Sequence, residues 1–385
     1  MKTTNSLSKV RSVAICFLTL LVFIAGFYLL SNATFRSKDS YLTLLDKGLF
    51  LSESSNKDER PFAVSKIIEF NAPFQTEASD LLNLNTLAFT SRNPEVDNSV
   101  QTGIYDLSKN AISTKFDEEN QVMGNSHISV SNNGKRMMSS YQNKQDGSSK
   151  IFIYDVVTNK KINTYNGIFM ADWLPDNVRF VGTDDYLFIQ DTQSGRRENV
   201  LKLSDVVGAV PLDFLELKIM KDGQTVGIMY NTIGVIHVVK VDLNTKDYVK
   251  QSIDGQFFYA NSVDNNTLVV EAQINKQTAL YRYDITDNSM ELLMDITNQK
   301  LFNITVSEDG KYLAYSVMNA RTGDTGAEIH AVYLDSNQIR SNEVIYHDLT
   351  HFIDELIWTK DNKMLYAIQR NTDGTTILRI LFKDP

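Results

Sequence analysis

Residues 304 to 319 read ITVSEDGKYLAYSVMN: an apolar alternation, a polar turn centred on Asp309 and Gly310, then a second apolar alternation. Successive side chains of a strand point to opposite faces, so each half has the period of a β-strand. Asp-Gly between two such runs predicts a hairpin, because tight turns need residues that tolerate positive φ. The same arrangement recurs along the chain. Polar turns stand at 131–135 (SNNGK), 174–177 (LPDN), 220–224 (MKDGQ), 263–266 (VDNN), 307–311 (SEDGK) and 359–363 (TKDNK), and β-like runs such as RMMSSY, TVGIMY, TLVVEA and MLYAIQ follow them. A further strand ending in aspartate before a polar turn belongs to the same unit: IYDLSKN (104–110), IYDVVTNK (153–160), IQDTQSGR (189–196), VDLNTKD (241–247) and YDITDNS (283–289), with a shifted VYLDSNQ at 332–338.

The runs after the first turn begin near Thr86, Arg136, Val178, Thr225, Thr267, Tyr312 and Met364, in steps of 42 to 52 residues. A period in the forties with four short strands per unit predicts a β-propeller blade, and seven markers predict an all-β, seven-bladed ring over 62–385. The last unit has three strands before the sequence stops, which leaves an unpaired outer edge. Residues 62–71 (FAVSKIIEFN) form a strand upstream of the first unit, and pairing them with 376–382 would supply the fourth strand and lock the ring.

The turn-and-strand units SEDGKYLAYS and ADWLPDNVRFVG, with the following IYDVVTNKK, resemble the repeat of TolB-like and WD-repeat-like bacterial propellers and the propeller of dipeptidyl peptidases. The resemblance implies the fold. Such blades serve scaffolds, sensors and enzymes alike, so it does not choose among them. Only Leu174-Pro175-Asp176-Asn177 keeps the proline of the Ser-Pro-Asp-Gly hairpin common in that group, and residues 31–61 are too few for the additional N-terminal domain of a TolB protein.

The N-terminus departs from the repeat. Residues 13–30 (VAICFLTLLVFIAGFYLL) carry no charge and are nearly long enough to cross a bilayer. Lys2, Lys9 and Arg11 precede them, which places 1–12 in the cytoplasm and the propeller outside, with 31–61 as a juxtamembrane linker. A single-pass cell-membrane protein is therefore expected, with secretion after cleavage near Ser31-Asn32-Ala33 as the alternative. Cys16, the only cysteine, lies inside this run, so no disulfide or thiolate metal site is available to the exported part. Beyond residue 38 the chain carries 33 basic against 47 acidic side chains, a net of −14, which disfavours nucleic acid as a partner.

Candidate chemistry is sparse. No Gly-rich phosphate loop and no Gly-x-Ser-x-Gly elbow occurs. His127, His237 and His330 fall in strand patterns and read as structural, whereas His347 and His351 have a His-x3-His spacing that could hold a metal together with Asp348 or Asp354. Asp172, Asp213, Glu216, Asp354 and Glu355 stand near the starts of the predicted innermost strands. Converging at the channel mouth, these acids would bind a ligand or a divalent cation such as Ca²⁺; no other cofactor is expected. Trp173 and Trp358 occupy equivalent places before two hairpins and predict packing between blades. The preferred reading is a non-catalytic binding or scaffold module for a protein, peptide or envelope polymer. The alternatives are a hydrolase or lyase using the mouth acids with His347 and His351, and a sensor domain for a membrane partner.

Overall fold

The computed structural model describes residues 42–43, 62–93, 99–116, 123–143, 147–208, 215–296, 300–318, 327–335, 338–348, 351–372 and 374–383. The apolar run 13–30, nearly all of the 31–61 linker and the middles of several long loops lie outside the described residues. Among the described residues no helix is long and apolar enough to cross a membrane.

Seven antiparallel sheets follow one another along the chain, each built of strands consecutive in sequence except the last. The innermost strands, from blade 1 to blade 7, are Thr76–Asn83, Met123–Val130, Met170–Trp173, Leu215–Ile219, Gln256–Ser262, Lys300–Val306 and Glu355–Trp358. Each touches the innermost strand of the next blade, and that of blade 7 touches that of blade 1, so the ring is closed. The ring is sealed by the early strand Val64–Ala72, which pairs with Gly374–Phe382 as the fourth strand of blade 7. Val64 lies opposite Phe382 and Asn71 opposite Thr376, the pairing expected from the sequence. Thr76 N–H donates to Thr375 Oγ1 at 2.9 Å and Lys383 N–H to the Ala63 carbonyl at 2.8 Å, pinning both ends of the seam.

The core is divided among the junctions between blades. Seven apolar clusters occupy the seven junctions, such as Val181, Leu187 and Ile189 of blade 3 against Val226, Ile228 and Val239 of blade 4. A middle strand is therefore covered on both faces and reads as a continuous apolar run: Tyr312–Met318 is buried at five consecutive positions. Outer strands keep the alternation, as in Tyr248–Asp254. Trp173 and Trp358 lie in these junctions, with Trp173 Nε1–H donating across to the Ser129 carbonyl of blade 2 at 3.1 Å. The aspartates that end the third strands are turn acceptors. Asp191 takes the N–H groups of Gln193 and Ser194, and Asp242 those of Asn244 and Thr245, all within 3.0 Å.

Candidate functional site: the central channel

Strand order assigns the loops to two faces. The inner strand runs from the link between blades toward the Asp-Gly hairpin, so links and second-to-third-strand turns share one face (the link face) and hairpins the other (the hairpin face). Corresponding positions of the inner strands then form tiers across the channel. His127, Glu216, Tyr259 and Glu355 share the tier nearer the link face, each opposite the fifth residue of its neighbouring strand. Two residues deeper, on the same strand face, stand Asp80, Ser129, Asp172 and Lys218.

These side chains tie the inner strands to one another. Glu355 Oε2 of blade 7 accepts from Ser79 N–H of blade 1 at 2.9 Å and also from the Ser79 hydroxyl. Asp80 accepts from Leu81 N–H and, across to blade 2, from Val130 N–H, both at 2.7 Å. Asp172 takes the Ser129 hydroxyl at 2.9 Å and Trp173 N–H at 2.8 Å. Glu216 and Lys218 form an ion pair at 2.7 Å, and the Lys218 ammonium lies 5.4 Å from the centre of the Tyr259 ring.

The channel is walled by protein yet reached by solvent. His127 is exposed, and Glu216 and Lys218 keep about a quarter of their side-chain surface accessible. A narrow aqueous bore solvates charge less well than bulk water, and the carboxyls respond. Burial, reinforced by the neighbouring Asp80 and Asp354, pushes Glu355 up to about 8 despite the bonds from Ser79. Burial, with Asp172 adding to it, raises Asp80 to about 6. Burial also lowers His127, which stays neutral near pH 7. For Lys218 burial works against the charge, but Glu216 and Asp172 outweigh it and hold the ammonium protonated.

The hairpin end is crossed by two lysines. Lys221 of blade 4 donates to the Ser307 carbonyl of blade 6 at 3.3 Å, and Lys360 of blade 7 to the Asn132 carbonyl of blade 2. Each passes over one intervening blade, so each spans the mouth as a chord.

Of the acids singled out from the sequence, Asp172, Glu216 and Glu355 line this channel. Asp354 sits beside it, held by Arg370 through its backbone N–H and guanidinium, both at 2.7 Å, and Asp213 lies outside the described residues. His347 belongs to the outer strand Gln338–Asp348 of blade 6 rather than to the link, with Nδ1 3.3 Å from Glu328, whereas His351 in the link faces Asp348 at 3.1 Å. The two rings thus address different carboxylates. Among the described residues no group of three or more His, Cys, Asp or Glu is arranged to hold a metal ion. Asp80, His127, Lys218 and Tyr259 are additions from the structure. Aligning the units on their second strands, with Met138, Val181 and Gly227 together, puts Ser129, Asp172 and Lys218 in one column, the signal by which the deeper tier could have been found, whereas Asp80 falls one position off it.

No protein-family model and no curated protein matches the chain. Solved structures do. The β-propeller domain of Cps50 (Swd1) from Myceliophteria thermophila is 14% identical with a TM-score of 0.57, over 83% of this chain and 99% of that one. The C-terminal WD40 domain of Sif2 is 11% identical with a TM-score of 0.52, over 84% of this chain and 100% of that one. The β-propeller domain of the trilobed protease from Pyrococcus furiosus, described as having an open velcro topology, is 13% identical with a TM-score of 0.55, over 81% and 99%. The likeness is one of fold: a WD-repeat-like seven-bladed propeller.

Proposed function

We propose that this chain is a membrane-tethered, extracytoplasmic propeller that binds a protein or peptide partner of the cell envelope and performs no chemistry of its own. The observation that carries the reading is how the channel carboxyls are used. Glu355, Asp80 and Asp172 accept hydrogen bonds that hold adjacent inner strands or turns, and Glu216 is ion-paired. Ser79, whose hydroxyl Glu355 accepts, is only 2% exposed and out of a substrate's reach. A general acid or base must reach the substrate's proton, and groups anchored in this way form a rigid recognition surface. The tether rests on the uncharged run 13–30 and on Lys2, Lys9 and Arg11 before it.

Affinity capture with the full chain, cross-linked in intact membranes before solubilisation, tests both parts. The expected result is that the chain stays in the membrane pellet through an alkaline wash and retains one envelope protein in stoichiometric amount. Recovery in the soluble fraction removes the tether, and recovery of nothing beyond what an unrelated propeller captures removes the binding role.

A further inference from the structure

Exposed large apolar residues occur on both faces and on outer strands, Leu84 and Val157 at hairpin-face turns and Ile162, Tyr248, Val249 and Leu292 on outer strands, but the exposed phenylalanines gather on one face. Phe169, Phe258 and Phe352 are 42 to 48% exposed, and these three, the exposed phenylalanines among the described residues, all stand on the link face. Phe169 immediately precedes the inner strand of blade 3, Phe352 lies three residues before that of blade 7, and Phe258 is within that of blade 5. They stand around the rim whose first tier inside the bore carries Glu216 and Glu355. Among the described residues it is the opposite mouth that side chains cross, those of Lys221 and Lys360, so the link face is taken as the entrance.

Resting on the binding-module reading above, we propose that this face takes a basic, partly apolar peptide segment, with one lysine or arginine side chain entering the bore toward Glu216 and Glu355 and its apolar neighbours lying on the rim phenylalanines. Charge selects the occupant. Asp80, Asp172 and Glu216 outnumber Lys218 in the bore, so an anion is repelled. The carboxyls are spread over several blades and do not converge on a point, which suits a charge on a long flexible stem better than a bare metal ion. Aromatic rings at the rim supply the apolar contact, and cation–π attraction as well.

The arriving cation also changes the bore. Glu355 faces Ser79, Asp80, Asp354, Tyr259 and Arg370, and it is largely protonated at neutral pH. A positive charge beside it favours the ionised form, so binding expels a proton and strengthens as pH rises toward about 8, levelling off above it.

Selection of a phage-displayed random peptide library on the full chain in detergent micelles tests the proposal, followed by anisotropy titration of the enriched peptides. The expected peptides carry Lys or Arg beside Leu, Phe or Tyr. They lose about tenfold or more in affinity against Glu216→Gln or Phe258→Ser, weaken with added salt, and keep their affinity against Leu84→Ser on the hairpin face. In Glu355→Gln the rise of affinity with pH disappears. Thermal melts confirm that each variant is folded. Enriched peptides without a basic residue, or binding indifferent to Glu216→Gln and Phe258→Ser, overturn the proposal while leaving a binding module intact. Failure of both this selection and the membrane capture removes the two together.

Discussion

Glu355 answers two opposed demands. Its carboxyl is the acceptor that joins blade 7 to Ser79 of blade 1, yet the bore that surrounds it penalises the negative charge. Its folded-state value of about 8 lies above the ordinary 4.5, so the folded protein holds this proton more tightly than the unfolded chain does. Stability from this residue is therefore complete below about 4.5 and drains away as pH rises toward about 8. Glutamine keeps an acceptor for Ser79 and cannot ionise. Glu355→Gln is expected to match the parent near pH 4, to gain on it in melting temperature through the interval to pH 8, and to hold a constant lead above it. Paired melts at half-unit steps would measure this, and a difference independent of pH would show that Glu355 is solvated like a surface acid. The pairing with Ser79 could not be read from the sequence, because the two residues are 276 positions apart and meet only through closure of the ring. Asp80 was hidden for a local reason. Its strand TEASDLLN runs into the short turn Leu84-Asn85, without the Asp-Gly signal that marks other hairpins.

Hairpins and turns were the legible elements, because their geometry is set by residues adjacent in sequence. Asp309 accepts Lys311 N–H at 3.0 Å and Ser307 Oγ at 2.7 Å within the turn itself, as the repeated motif implies. Their packing across blades was not legible. Gly310 has φ +76°, a region L-residues occupy at a cost, and a Cβ there would also press into the Val263 carbonyl oxygen of the blade 5 hairpin. Gly234, in a turn on the opposite face, has φ +74° with nothing within 4 Å of the same atom. The two glycines separate backbone strain from close approach. Gly234→Ala is expected to lose about 1 kcal/mol, and Gly310→Ala about 2 kcal/mol or more, in urea unfolding. Equal losses at both sites would mean that adjacent hairpins give way freely and that the blades are loosely coupled at that end.

At the scale of the whole ring, the alternation and turn spacing were enough for the blade count and the seam, because a three-stranded last unit and an unmatched early strand require each other. The tiers of the channel were not accessible in the same way, since they depend on the register among seven separate sheets. The seam itself makes a prediction. Val64 and Phe382 lie opposite each other in an antiparallel pair, and Lys383 N–H reaches the Ala63 carbonyl at 2.8 Å, so a short linker can join the last strand to the first as an ordinary hairpin. A circular permutant of the propeller, with that linker and new ends between Met318 and Ala327 of blade 6, turns the distant pairing into a local one and a local pairing into a distant one. Loop-closure entropy is thereby relocated without being removed. The permutant should unfold in urea with the same midpoint and slope as the unpermuted propeller, whereas deletion of the Val64–Ala72 strand, which bares the Gly374–Phe382 edge, should abolish the single transition and promote association through the open strand. A permutant that fails to fold, or a deletion variant that keeps its full midpoint, would place the stability of the ring in the individual blades and not in their closure.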